Sequence, residues 1–261
     1  MNNIYVHYHQ DEHHFVDRCM EWAQQAEENH KVKHTDFLDP REQQILQSIV
    51  SKYQDIHMMD WGGHDDAERK KAIIAPHYVH MDESSFSELI QVVQIHSEDS
   101  KYDQLHHGDF LGSFLGLGLK RNKLGDIQLL PHACQVVVDK DIAHYISSQL
   151  LKVGSVKVAT EVLPIDQLQP MQVRFSSKAF TVSSLRLDNV VSSAINQSRA
   201  KAMQLIKQNK CKVNWKWTTQ PSLSLESGDV ISCKGFGRFK IQSLEGPTKK
   251  GKFRLMIGFY D

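Results

Sequence analysis

Seven cations fall between residues 186 and 216: Arg186, Arg199, Lys201, Lys207, Lys210, Lys212 and Lys216, with Asp188 the only carboxylate among them. Guanidinium and ammonium groups at this density neutralise phosphates rather than make or break bonds. Ser198 and Asn214 lie in the same run, and their side chains can cap backbone or meet a phosphate oxygen. The candidate set for contact with the phosphates of a polyanion is therefore Arg186, Ser198, Arg199, Lys201, Lys207, Lys210, Lys212, Asn214 and Lys216. A smaller cluster, Lys120, Arg121 and Lys123, offers a secondary phosphate contact. Bond-making chemistry has no comparable focus. Cys19, Cys134, Cys211 and Cys233 form no CxxC pair, which predicts buried reduced thiols and neither a disulfide framework nor a zinc knuckle. His7, His9, His13 and His14 crowd the N-terminus, yet no carboxylate or cysteine pattern completes a metal site, so they are expected at the surface. No Ser/His/Asp or Cys/His set stands out. The expectation is a protein with no catalytic residues, no metal and no cofactor.

Two helices must position the main cluster. Leu187, Val190, Val191 and Ala194 fall at i, i+3, i+4 and i+7, which predicts an apolar stripe with Arg186 and Asp188 off it. Ser198 stands at the N-cap of the second helix, where Ala202, Leu205 and Ile206 form the buried face and leave Arg199, Lys201 and Lys207 pointing outward. Lys210, Lys212 and Lys216 carry the positive surface into a turn and strand. This stretch resembles the αL RNA-binding domain, the module of the fourth protein of the ribosomal small subunit. The resemblance rests on RLD (Arg186 to Asp188), SRxxAxxLI (Ser198 to Ile206), KVN (Lys212 to Asn214) and GDVI (Gly228 to Ile231). Asn209 stands where that family usually has Gly, and Asn tolerates the left-handed backbone such a turn needs. Trp215 stands where Gly usually follows the Asn, a departure that bears on the local turn.

The chain has 261 residues, 40% of them hydrophobic, enough for two or three domains with cores of their own. Its net charge of +0 conceals a division: residues 171–261 hold 16 Lys and Arg against 5 Asp and Glu, whereas residues 1–170 hold 15 against 26. The C-terminal part is thus the one suited to a polyanion. No run of eighteen apolar residues and no secretory signal is visible, so a cytoplasmic protein is expected, with no membrane partner.

Along the chain, residues 1–80 predict an α/β unit, with helices over Phe15 to Glu27 and Asp39 to Tyr53, and strands at Ile56 to Met59 and Ala72 to Ile74. Asp39 is the expected N-cap and Pro40 the first helical residue. Residues 81–169 read as strand, helix, two strands joined around Pro131, helix and strand, the ferredoxin-like βαββαβ plan. Within them, HGDFLGSFLGLGLKRNKLGDI lacks GxGxxG spacing, so Gly112, Gly116 and Gly118 are expected to permit close helix packing rather than to bind a dinucleotide. Residues 170–261 complete an α+β chain of three small domains with the αL-type module.

FLDPREQ (Phe37 to Gln43), DAERKKAIIAP (Asp66 to Pro76), HGDFLGSFLGLGLKRNKLGDI (His107 to Ile127) and the αL-type segment occur in that order. Together they resemble the YlmH family of bacterial ribosome-associated RNA-binding proteins. The resemblance implies an N-terminal domain, a central ferredoxin-like RNA-binding domain and a C-terminal αL domain. It also implies a non-enzymatic role on the ribosome, at a large subunit carrying tRNA during translational quality control, with rRNA or tRNA as partner, no small-molecule substrate and a monomeric chain. The alternative is an RNA-modifying enzyme, such as a pseudouridine synthase or rRNA methyltransferase, docking its substrate through the αL domain. A pseudouridine synthase needs its aspartate in a loop of a large separate domain, whereas the RLD here lies inside the αL helix. A methyltransferase needs a glycine-rich loop after a strand, which residues 1–170 do not offer.

Overall fold

The computed structural model describes residues 4–169, 175–247 and 251–260, and divides into two compact units, Met1–Met171 and Gln172–Asp261. The expected boundary after residue 80 lies inside the first unit. That after residue 169 adjoins residues 170–174, outside the described residues.

In the first unit, α1 (His13–Asn29) buries Val16, Cys19, Ala23 and Ala26, the helical repeat that the sequence pattern predicts. α2 (Pro40–Val50) starts where the caps dictate: the Asp39 carboxylate accepts from Glu42 N–H at 2.9 Å, and Glu42 accepts in return from Asp39 N–H at 2.8 Å. Both helices pack on a three-stranded antiparallel sheet of β1 (Lys33–His34), β2 (Ile56–Trp61) and β3 (Lys71–Pro76), in the order β1-β3-β2.

The central part holds β4 (Ile90–His96), α3 (His107–Gly116), β5 (Leu124–Leu130), β6 (Ala133–Asp139), α4 (Lys140–Gln149) and, after the small hairpin β7 (Lys152–Val153) and β8 (Val156–Lys157), β9 (Ala159–Leu163). Its strands run antiparallel in the order β5-β6-β4-β9, which is the ferredoxin-like arrangement. The single strand expected after the second helix of this part divides, because Val156 and Lys157 pair back on β7 and only β9 joins β4.

α3 and α4 cover one face of the central sheet, where Phe110, Phe114, Ala143 and Ile146 meet Val93, Ile95, Val136 and Val138. The opposite face is also covered. Ile90 and Val137 pack there with Phe37 and Ile73 from the N-terminal part and with Phe86. Since strand side chains alternate between faces, Val137 and Ile90 must find apolar partners on the side away from the helices. The sheet face on which RNA-recognition modules stack bases is therefore occupied by protein. Gly125 permits the approach, for a Cβ there would lie 2.8 Å from the Phe37 ring.

The second unit opens with β10 (Phe175–Val182), α5 (Leu187–Ala194) and α6 (Arg199–Lys207), and continues with β11 (Cys211–Val213), β12 (Lys216–Trp217), β13 (Val230–Cys233), β14 (Gly237–Pro247) and β15 (Phe253–Tyr260). These strands form one six-stranded antiparallel sheet, in the order β10-β15-β14-β13-β11-β12. α5 and α6 lie on one of its faces through Val190, Val191, Ala202, Leu205 and Ile206, packed against Val213, Ile231, Phe239, Leu255 and Ile257. Cys211 and Cys233, 22 residues apart in sequence, sit opposite each other on neighbouring strands as buried free thiols, their sulfurs 3.2 Å apart and sharing a hydrogen bond.

Candidate nucleic-acid interface

The two helices of the second unit are joined by an ion cluster that corrects the expectation for Asp188. Its side chain is 1% exposed, and its carboxylate accepts from two guanidiniums. Arg186 donates from Nε at 3.2 Å and from Nη2 at 3.3 Å, while Arg199 donates from Nε at 3.0 Å and from Nη2 at 2.9 Å. Burial alone would raise the Asp188 pKa, but the hydrogen bonds from Arg186 and Arg199 outweigh it and hold the carboxyl below its usual range. RLD and SR are thus two halves of one clamp. Arg199 is not free to point anywhere; it is fixed by Asp188, although 52% of its side chain remains open to solvent. With Arg186 also 42% exposed, the clamp presents two oriented guanidinium edges around one buried negative charge.

Ser198 caps α6 as its position predicts, accepting from Lys201 N–H at 3.2 Å. α6 then sends Lys201 and Lys207 into solvent, and Lys210 and Lys216 are exposed on the turn and strand that follow. None of these four ammonium groups makes an ion pair or hydrogen bond among the described residues. The helix ends through Asn209 at φ 55°, the left-handed conformation for which Asn substitutes for Gly.

Asn214 has a different task from the one its position suggests. Its Oδ1 accepts from Val230 N–H at 2.9 Å and its Nδ2 donates to Asp229 at 2.8 Å, so the side chain ties the β11–β12 turn to GDVI. KVN and GDVI are therefore one structural joint. Asn214 and Trp215 are the two turn residues, at φ 48° and φ 62°. A two-residue turn with both residues left-handed is the hairpin type that favours Asn-Gly, and Trp215 adopts it against its own steric preference. Lys212 is turned back over the Trp217 ring, with Nζ 4.6 Å from the centroid.

The secondary cluster is redirected by tertiary contacts. Lys123 lies 2.8 Å from Asp36 and 3.1 Å from Asp139, and Arg121 donates to the Leu124 and Gly125 carbonyls. Asp139 also holds the buried Lys71 at 2.6 Å, so these charges bind the N-terminal part to the central one. Burial pushes the Asp139 carboxyl up, and its bonds to Lys71 and Lys123 more than reverse that. Of the three cations only Lys120 is exposed. The neighbouring glycines also differ from expectation: Gly112 and Gly116 face open space, where an added Cβ would meet nothing within 4 Å, and Gly118 is required by its φ of 82°. Gly112 instead lines an open groove of about 600 Å³ between α3 and the segment Gln149 to Gly154. Among the described residues, no group of three or more His, Cys, Asp or Glu could hold a metal ion, and no helix is long and apolar enough to cross a membrane.

Two helices braced by an Arg–Asp–Arg clamp, with unpaired lysines around them and a sheet behind, define an RNA-binding protein of the S4, or αL, class. Three family models match in order: the N-terminal part of YlmH over residues 11–79, the RNA-binding domain in YlmH over residues 83–167, and the S4 domain over residues 185–231. A relative from Bacillus subtilis (strain 168), "Ribosome-associated protein quality control protein P2", is 41% identical over 255 residues, covering 98% of each chain. The chain belongs to the YlmH family. A solved structure titled "Cell division protein ylmH from Streptococcus pneumoniae" shares the fold, with a TM-score of 0.52 at 24% identity, covering 64% of this chain and 100% of that one.

Proposed function

We propose that this chain binds structured RNA on the ribosome without catalysing a reaction, at a large subunit that carries tRNA, in translation-associated quality control. The reading takes its cellular setting from the name of the Bacillus subtilis relative. Its physical basis is one observation: Lys201, Lys207, Lys210 and Lys216 are exposed and unpaired beside an arginine clamp, in the part of the chain that carries the excess of cations. Lysines left unpaired in this way are available to displace counterions from phosphate. The enzymatic alternative loses its one candidate aspartate, because the Asp188 carboxylate is buried and held by two arginines. The protein acts in the cytoplasm as a monomer, and needs no cofactor.

The test compares the full chain with a Lys201→Gln, Lys207→Gln double variant, titrated against purified large subunits and against tRNA at rising salt. The expected result is steep salt dependence for the wild type, and weaker binding with a log–log slope shallower by about two for the variant. Salt-independent binding by the wild type, or an unchanged slope in the variant, would overturn the assignment of these lysines to phosphate.

A further inference from the structure

We propose that the face of the six-stranded sheet away from α5 and α6 is a second RNA surface, one that takes unpaired nucleotides by stacking. The inference rests on the RNA-binding reading above and adds a substrate class and a site to it. Its basis is a row of side chains crossing every strand. The register sets Trp217 beside Lys212, Lys212 beside Ser232, and Ser232 beside Arg238. Arg238 then reaches Tyr260, its guanidinium carbon 4.0 Å from the ring centroid, and Tyr260 meets Phe175 edge to face at 4.9 Å.

Alternation fixes the side on which this row lies. Cys211, Val213, Ile231, Cys233 and Phe239 point into the core under the helices, so the residues between them point the other way. Trp217, Tyr260 and Phe175 take no part in that core, whose apolar partners are Phe180, Phe253 and Phe259 among others. All three rings remain partly exposed. Gly258 keeps the face low: a Cβ there would lie 2.9 Å from the Phe175 ring and 2.7 Å from the Gln242 amide, so both side chains lie across the bare backbone.

The row therefore sets Lys212, Ser232 and Arg238 between Trp217 at one end and Tyr260 and Phe175 at the other, over five strand spacings or about 24 Å. Rings and guanidinium planes offer π-faces to bases of any sequence, and the cations between the rings follow the backbone phosphates. Duplex RNA, whose bases are already stacked on each other, has no use for such rings. An unpaired loop or a single-stranded end does. The central sheet, covered on both faces, offers no such surface.

The experiment measures binding of a twelve-residue oligouridine and of a tRNA to the full chain by fluorescence anisotropy. Four proteins are compared: wild type, a Trp217→Leu, Tyr260→Leu variant, the Lys201→Gln, Lys207→Gln variant, and Tyr260→Phe. Thermal melting establishes that each is folded, and Tyr260→Phe, which keeps the ring, serves as the conservative variant. The expected result is a loss of about tenfold in oligouridine affinity for each ring removed, little loss in Tyr260→Phe, and, in the lysine variant, a loss of tRNA affinity larger than its loss of oligouridine affinity. If wild type binds tRNA but not oligouridine, or if the folded double leucine variant binds oligouridine as wild type does, the stacking surface is refuted and the lysine site stands. A folded leucine variant that keeps oligouridine but loses a ribosomal protein contact refutes it too, in favour of a protein-binding face. If wild type binds neither RNA, the proposed function itself fails.

Discussion

Replacing Asp188 by Asn keeps the size of the side chain and removes the charge that two arginines surround. The carboxylate accepts four guanidinium contacts between 2.9 and 3.3 Å, two from each arginine. Bonds to a charged group each contribute about 1.5–3 kcal/mol net, and removing one partner of a fully buried ion pair costs about 3–5 kcal/mol. Arg186 and Arg199 are 42% and 52% exposed and can regain water, which places the expected loss lower, at about 2–3 kcal/mol. An Asn amide adds a further penalty if its NH2 faces a guanidinium. Because the chain holds two compact units, the measurement is hydrogen exchange of α5 and α6 amides across a urea series, which isolates the second unit. The pH dependence carries a sign. The folded pKa of Asp188 lies below its ordinary 3.8, so its contribution is fully present above that value and disappears as pH falls through the folded pKa. Wild type and variant should therefore begin to draw together as pH falls below the ordinary carboxylate value and converge only below the folded pKa of Asp188. A loss under about 0.5 kcal/mol at neutral pH, or a gap that persists in acid, would refute the clamp.

Asp139→Asn leaves the buried Lys71 without its 2.6 Å partner and should cost about 3–5 kcal/mol in the first unit, read from the urea midpoint. Lys123→Ala should destabilise that unit measurably while Lys120→Ala changes it by less than about 0.5 kcal/mol, since only Lys123 is bound to Asp36 and Asp139. Equal effects would show that the Lys123 contacts contribute nothing. Asn214→Ala removes the acceptor for Val230 N–H and places a residue averse to φ 48° in the turn. It should lower the melting point of the second unit by an amount matching about 2 kcal/mol, and a neutral result would refute the joint between KVN and GDVI.

Charge, capping and periodicity were legible in the chain by itself. Asp39 and Ser198 declare helix starts because a cap acts over three residues, and the βαββαβ order follows from alternating patterns that each span a single element. The excess of cations in the last 91 residues needs only counting. What a charge meets was not legible, because the partner is distant in sequence. Lys71 finds Asp139 at a separation of 68 residues, and Asn122 finds Asp36 at 86. Asp188 and Arg199, 11 residues apart, looked like independent surface groups until α5 and α6 were packed together. Likewise, the central sheet announces an apolar second face in Ile90 and Val137, but only the fold shows that Phe37 and Ile73 cover it. The row from Trp217 to Phe175 joins six strands, four of them outside the four motif pieces that carried the αL resemblance. Local propensity places a side chain on a face; which lysines stay free, and which rings line up, is decided by strand register and by the pairing of opposite charges across the fold.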